Sequence, residues 1–121
     1  MRLIALRGAN TVEANDGETI LDATEELMRA LLERNRLHAD DLVSCLFTLT
    51  TDLNAQFPAV AARRVGLTKV PLMCAQEIPV PGALPRVIRV MVHCHVPDEH
   101  EPQHVYLGEA RVLREDLHGA Q

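Results

Sequence analysis

Aromatic side chains are almost missing from this 121-residue sequence, which contains two Phe, one Tyr and no Trp. Sites for nucleic-acid bases or flavins commonly stack the ligand on aromatic rings, so this scarcity argues against such ligands. No run of basic residues occurs either, and the formal net charge is −5. A nucleic-acid or membrane-surface partner therefore has little support.

Cysteine is also scarce. Cys45, Cys74 and Cys94 make an odd number, and no two of them are spaced as CxxC. Such thiols are typical of the reducing cytoplasm, where we expect the protein. The first residues, MRLIALRG, are too short and too charged for a signal peptide or a membrane span. The length and the 47% hydrophobic content predict a single domain over residues 1–121.

The hydrophobic pattern predicts helices and strands that alternate along the chain. A helix is predicted over residues 18–35, where apolar residues recur at helical spacing after a capping Asp16. A second helix begins near Pro58 and ends near Gly66. Runs of β-forming residues predict strands at residues 2–7, with Arg7 at the end, at 42–50, within 69–78, at 86–96 and at the start of 104–113.

This β-α-β-α-β-β order predicts an α+β fold, in which a mixed sheet carries its helices on one face. Because a short turn joins the last two strands, we expect them to pair antiparallel. Two helices cannot cover both faces of such a sheet, so another subunit of a homo-oligomer should bury the free face or edge. The polar tail from about residue 114 should be mobile.

The motif HCH at residues 93–95 is the first candidate site. On a strand, His93 and His95 point to one face and Cys94 to the other, so the two imidazoles could share a metal. A usable site needs a third protein ligand, and the later histidines carry no motif that would supply one. We therefore prefer two polar side chains on a solvent or interface face, and we expect no metal.

Cys74 is a second candidate, as a thiolate nucleophile. That chemistry needs a base or a positive setting that stabilises the thiolate, and no His is close in sequence. Glu77, three residues further on, would oppose ionisation. A neutral hydrogen-bond donor or a packing residue fits Cys74 better.

Arginine is the main basic residue, with eleven copies against one Lys, and it suits two-point binding of carboxylates. Arg89 stands in a strand otherwise made of Val, Ile and Met, on one face with Val87 and Met91. An Arg in such a strand is not expected to lack a partner. The partner could be a structural carboxylate such as Glu77, or it could be a bound anionic ligand.

Four segments together resemble the monofunctional chorismate mutases of the Bacillus type. They are LRGANTVEAND, TTDLNAQFPAVAAR, PLMCAQEIPVPGALPRVIRVM and HVYLGEARVLREDL, in the family's order and with nearly its spacing. The resemblance covers most of residues 5–117 and implies a homotrimer with a pseudo α/β barrel and active sites between subunits. It implies the Claisen rearrangement of chorismate to prephenate, for phenylalanine and tyrosine synthesis, without a cofactor or metal.

The resemblance also implies a role for each matching residue. Arg89 matches the Arg that donates to the ether oxygen and a carboxylate, while Arg7 and Tyr106 match groups that hold the side-chain carboxylate. Glu77 and Cys74 match the pair at the ring hydroxyl. The matches that line the cleft, some of them contributed by a neighbouring subunit, are Phe57, Ala59, Arg63, Met73 and Leu113. Arg114 matches a basic residue near the ring-carboxylate entrance.

One departure and two alternatives accompany this resemblance. Val60 stands where the family's pattern has Lys, which would weaken steering of the dianionic substrate. A trimeric imine or enamine deaminase, which also uses Arg in clefts between subunits, fits the four segments poorly. A non-catalytic trimer that binds a small carboxylate would keep the Arg residues but would not need Glu77 and Cys74.

Overall fold

The structure, a computed structural model, describes the backbone of residues 1–118 and the side chains of residues 1–113. The strands are β1 (Arg2–Thr11), β2 (Leu42–Leu49), β3 (Leu72–Gln76), β4 (Val87–Val96) and β5 (Val105–Tyr106). The helices are α1 (Gly17–Arg34) and α2 (Pro58–Arg64), and 3-10 segments occupy Ala39–Asp41 and Gly108–His118. The mobility expected from about residue 114 concerns side chains outside the described residues and stays a prediction.

The five strands form one mixed sheet in the order β3-β2-β4-β1-β5. The central strand β4 is antiparallel to β1 and β2, and β3 is parallel to β2 across the α2 connection. The mixed α+β sheet predicted from the sequence is confirmed. The prediction that the last two strands pair is wrong, because β5 pairs with β1 in parallel.

The physical reason for this correction is that both edges of β4 are already occupied, by β1 and β2. The chain therefore passes the end of α1 to reach the free edge of β1. Asn35, which is buried, holds it there: the side-chain amide donates to the carbonyl oxygen of Gln103 at 2.8 Å and accepts the backbone N–H of Gln103 at 2.8 Å.

Both helices pack on one face of the sheet, as predicted. Asp16 caps α1 by accepting the backbone N–H of Thr19 at 3.1 Å, and this bond holds the pKa of Asp16 below its ordinary value. One apolar cluster joins α1, α2 and the strands, with Leu31, Ala62 and Phe47 among its members. Among the described residues, no helix is both long and apolar enough to cross a bilayer.

Within residues 1–118, no α-helix lies on the opposite face of the sheet, which we call the open face. Its side chains come from alternate strand positions: Leu3, Ala5 and Arg7 of β1, Leu46 and Thr48 of β2, Met73 of β3, and Arg89, Met91, His93 and His95 of β4. Leu3 is 58% exposed and Met73 is 63% exposed. The last 3-10 segment covers only one end of this face, through Ala110. The rest mixes polar side chains with the exposed apolar side chains of Leu3, Leu46 and Met73, which suit contact with a partner.

β1 is longer than predicted. Its pairing with β4 continues to Thr11, so Arg7 lies in the middle of the strand, opposite Met91, and not at the end. Asn10 appeared to belong to a turn because it is polar, but its amide donates to the carbonyl oxygen of Ala23 and to Glu26, both of α1. These bonds satisfy a buried polar side chain inside the strand.

Candidate active site

Three side chains meet at the centre of the open face: Arg89 of β4, Thr48 of β2 and Glu77, which directly follows β3. Arg89 and Thr48 are cross-strand neighbours. The backbone N–H of Glu77 donates to the carbonyl oxygen of Leu49 at 2.9 Å. Arg89 Nε lies 3.0 Å from Glu77 Oε2, and Thr48 Oγ1 donates to the same oxygen at 2.7 Å. Arg89 therefore has the carboxylate partner that its apolar strand required.

The ion pair between Arg89 and Glu77 leaves one donor unsatisfied. Although Nε and Oε2 are 3.0 Å apart, Arg89 Nε is buried and has no hydrogen-bond partner among the described residues. The distance reports the attraction between the charges, whereas a hydrogen bond also needs the N–H to point at the oxygen. Because Nε is buried, the exposed part of this side chain, 33% of its surface, is what a ligand can contact.

A pocket of about 340 Å³ opens on the open face around this cluster, and we call it the face pocket. Its lining combines two arginines, a tyrosine, a threonine and two apolar side chains: Arg7, Arg89, Tyr106, Thr48, Leu46 and Met91. Two guanidinium groups in a small pocket suit a ligand that carries carboxylates. The structure thus brings together Arg7, Arg89 and Tyr106, with Glu77 bound to Arg89.

His104, just before β5, contacts the strand that carries Arg7. The backbone N–H of Arg7 donates to Nδ1 of His104 at 3.0 Å. Burial, with a contribution from the positive charge of Arg7, holds the pKa of His104 below its ordinary value of 6.5. The imidazole is kept neutral there, because a protonated Nδ1 could not accept this bond.

A second pocket, of about 360 Å³, lies at the β3 edge of the sheet, and we call it the edge pocket. Residues of β2, β3 and the loop before α2 line it, including Leu49, Leu53, Asn54, Phe57, Cys74 and Gln76. Phe57 is 67% exposed. Cys74 is half-buried and packs against the helix-side core, opposite Phe47 in the strand register. Cys74 faces the helix side of the sheet and Glu77 contacts Thr48 on the open face, so the two side chains do not meet within one chain.

The other predicted site residues with described side chains line neither of these pockets. Arg63 of α2 and Met73 of β3 are exposed. Ala59 is buried in α2, with only 7% of its surface exposed, so little of it remains for a ligand. Leu113 is half-buried against the apolar cluster beneath the last 3-10 segment. The side chain of Arg114 lies outside the described residues.

The HCH motif is divided between the two faces as predicted. His93 and His95 lie on the open face, where His93 Nδ1 is 3.2 Å from the hydroxyl of Ser44. In the described part of the chain, no group of three His, Cys, Asp or Glu side chains could hold a metal. Cys94 is buried, which raises the pKa of its thiol to about 11, and burial raises that of Cys45 to about 12. Both thiols are packing groups rather than nucleophiles.

Sequence reasoning missed Thr48 and a polar clamp at the start of β4. In this clamp the carboxylate of Asp52 accepts the backbone N–H of Arg86 at 3.0 Å, and Thr50 Oγ1 accepts the backbone N–H of Val87 at 3.0 Å. The clamp holds Arg86 at a φ of 52°, a left-handed conformation that is costly for Arg. Alternation along β2 would have assigned Thr48 to the open face, but it does not tell which β4 residue lies opposite.

Comparisons with known proteins agree on one family. The family model described as chorismate mutase type I matches residues 3–117. A protein named chorismate mutase AroH from Thermus thermophilus is 48% identical over 119 residues, which are 96% of this chain and 97% of that protein. Chorismate mutase AroH from Bacillus subtilis (strain 168) is 42% identical over 120 residues, 97% of this chain and 94% of that protein.

A solved structure is similar over almost the whole fold. It is a chorismate mutase from Clostridium thermocellum, with a TM-score of 0.87 and 46% sequence identity. The match covers 90% of this chain and 98% of that chain. The two proteins are therefore similar in amino-acid sequence as well as in fold.

Proposed function

The chain belongs to the chorismate mutase type I family, and we propose that it rearranges chorismate to prephenate in a cleft where the face pocket of one copy meets the edge pocket of another. The protein is an isomerase that acts in aromatic amino acid biosynthesis. The observation that carries the proposed site is the pair Arg7 and Arg89 in one small pocket, beside the ion pair of Arg89 with Glu77.

The chemistry explains why arginines suffice. One carbon–oxygen bond breaks while a carbon–carbon bond forms within the same molecule, so the reaction needs neither a nucleophile nor a proton transfer. Negative charge builds on the departing ether oxygen, and the two carboxylates must be held in a compact, chair-like shape. A site therefore has to restrain the substrate and to direct a fixed cation at that oxygen. We assign the second task to Arg89.

The other groups of the face pocket restrain the substrate. Arg7 and Tyr106 hold its side-chain carboxylate, because they line the pocket beside Arg89. Glu77 faces the ring hydroxyl and the electron-poor ring, while its ion pair with Arg89 keeps both groups in position. Leu113 closes the apolar side of this half, and Arg114 attracts the ring carboxylate at the entrance.

The edge pocket supplies the second half of the cleft from a neighbouring copy. Its exposed Phe57 and half-buried Cys74 would contact the ring and its hydroxyl, with Met73, Arg63 and the exposed fringe of Ala59 around them. Two features support this division: the pockets share no residue, and the open face has exposed apolar side chains and no α-helix within residues 1–118. Three copies related by a threefold axis would complete three such clefts and bury this face.

We further propose that the reaction takes place in the cytoplasm, without a cofactor. The support for the compartment is that Cys45, Cys74 and Cys94 are free thiols. The support for the absence of a cofactor is the reaction itself, whose bond changes balance within a single substrate molecule.

Purified protein added to chorismate tests the proposal directly. We expect loss of the ultraviolet absorbance of chorismate well above the rate in buffer, and light scattering should give the mass of three chains. No acceleration over buffer would reject the activity and favour a binder of small carboxylates. An active protein with the mass of a single chain would reject the cleft between copies but keep the activity.

A further inference from the structure

We propose that Thr48 is a positioning residue that limits Glu77 to a one-point contact with Arg89 Nε, so that the outer N–H groups of Arg89 stay turned toward the substrate. This inference rests on the proposed function. It adds to that function a residue that neither the sequence pattern nor the family resemblance singled out.

One oxygen atom is shared between the two interactions. Thr48 Oγ1 donates to Glu77 Oε2 at 2.7 Å, and Arg89 Nε lies 3.0 Å from the same atom. The shorter contact satisfies hydrogen-bond geometry, whereas Arg89 Nε has no hydrogen-bond partner among the described residues. The hydroxyl, and not the guanidinium, therefore sets the orientation of this carboxylate.

The backbone restricts where Glu77 can go. Its N–H is bonded to the carbonyl oxygen of Leu49 at 2.9 Å, so only side-chain rotation can move the carboxylate. Thr48 is the cross-strand neighbour of Arg89, and its hydroxyl is the only side-chain donor to Glu77 within the described part of the chain, apart from the ion pair itself. Removing one hydroxyl would release the carboxylate.

A released carboxylate would turn toward the fork of guanidinium donors, because a bidentate Arg–carboxylate pair is strong and has parallel hydrogen bonds. Such a pair would occupy an outer N–H group that the ether oxygen needs. The loss would appear mainly in kcat, because the charge on that oxygen develops in the transition state. KM would change little, since Thr48 does not hold the substrate carboxylates.

The experiment compares Thr48→Val, which removes the hydroxyl at nearly constant volume, with Thr48→Ser, which keeps it. We expect Thr48→Val to lower kcat by about 10-fold to 100-fold, the effect of one hydrogen bond to a charged group. Thr48→Ser should stay within about threefold of the native kcat. Ser44→Ala is the matched control, because it removes another open-face hydroxyl from β2, one that contacts His93. It should leave kcat unchanged.

A double-substitution cycle distinguishes positioning from a purely structural role. In a Glu77→Gln background, measured at higher enzyme concentration, Thr48→Val should cause little further loss of kcat, because the group through which Thr48 acts is already neutral. Thr48→Ala serves as a second variant if Thr48→Val does not fold, and the thermal midpoint of each variant reports its folding.

The outcomes separate this inference from the proposed function. Native protein without activity on chorismate would overturn the proposed function and this inference with it. If the native protein is active, three results would overturn only the role of Thr48. They are a Thr48→Val variant that keeps its kcat, a Thr48→Ser variant that loses as much as Thr48→Val, and an equally large loss in the Glu77→Gln background.

Discussion

Cys74 and Glu77 are three residues apart in the chain, yet their side chains lie on opposite sides of the sheet. Cys74 packs toward the helix-side core next to Phe47, whereas Glu77 reaches across the open face to Thr48 and Arg89. The strand that carries Cys74 is the outermost strand at that end of the sheet. We therefore propose that a ligand that contacts both side chains lies between two copies of the chain.

This arrangement predicts complementation between inactive variants. Arg89→Ala disables the face pocket and Phe57→Asp disables the edge pocket, so each variant alone should be almost inactive. Unfolded together and refolded as a mixture, they should regain part of the native activity, because some clefts then combine two intact halves. Activity no higher than the sum of the two separate preparations would contradict a site shared between copies.

Arg89 should be the residue whose charge matters most for the rate. Losing one donor aimed at developing charge typically costs about 2.7–4 kcal/mol, so Arg89→Ala should lower kcat by about 10² to 10³. Steady-state kinetics on chorismate give this value. Arg29→Ala is a suitable control, since Arg29 is exposed and only pairs with Glu25 on the surface of α1. Citrulline at position 89, a neutral isostere, should be as impaired as Ala; full activity would refute the electrostatic role.

Cys74→Ser should keep most of the activity. Cys74 is half-buried in the edge pocket, and serine offers a hydroxyl in place of the thiol donor. Kinetics before and after treatment with a thiol-alkylating reagent provide the measurement, because Cys45 and Cys94 are buried and should react slowly. A Cys74→Ser protein without detectable activity would restore the nucleophile hypothesis.

Metal chelators should not change the activity. The proposed rearrangement uses fixed cations of the chain, and His93 on the open face contacts the hydroxyl of Ser44. The test is to assay the protein before and after dialysis against EDTA, with a metal-dependent hydrolase treated in parallel as a positive control. Activity that disappears with the chelator and returns with Zn²⁺ would point back to His93 and His95 as ligands.

The free energy of unfolding should decrease as the pH is lowered below the ordinary pKa of histidine, in part through His104. Its pKa is lower in the folded protein than the value of 6.5 expected when unfolded, so the unfolded chain binds the proton more readily. The stabilisation is therefore complete above pH 6.5 and is lost as the pH falls through the lower folded value. Thermal melts across this range should show a drop in Tm.

His104→Asn is the matched variant for this effect, because the amide oxygen of Asn can accept the backbone N–H of Arg7 without a titratable ring. It should flatten the pH dependence of Tm between neutral and mildly acidic pH. His38→Asn, which removes an exposed histidine that lies outside the sheet, serves as the comparison. An identical slope for His104→Asn and the native protein would show that His104 does not contribute.

Much of the site follows from side-chain chemistry that the sequence displays. An Arg among Val, Ile and Met was expected to have a partner, either Glu77 or a bound anion, and Arg89 does contact Glu77 at 3.0 Å. Strand alternation correctly divided His93 and His95 from Cys94. Capping by Asp16 and the start of α2 at Pro58 also followed from local rules, because these bonds join residues that are close in sequence.

What depends on distant residues could not be predicted in this way. The sequence by itself determined which segments form helices and strands and that both helices pack on one face, since these follow from local periodicity. It also determined which charged side chain needed a partner, because an unpaired charge in an apolar strand is costly. Only the tertiary structure decided that β5 joins β1, that Arg7 lies mid-strand, and that Thr48 lies opposite Arg89. Strand order and register depend on which edges are free and which buried groups need partners, and no local pattern contains that information.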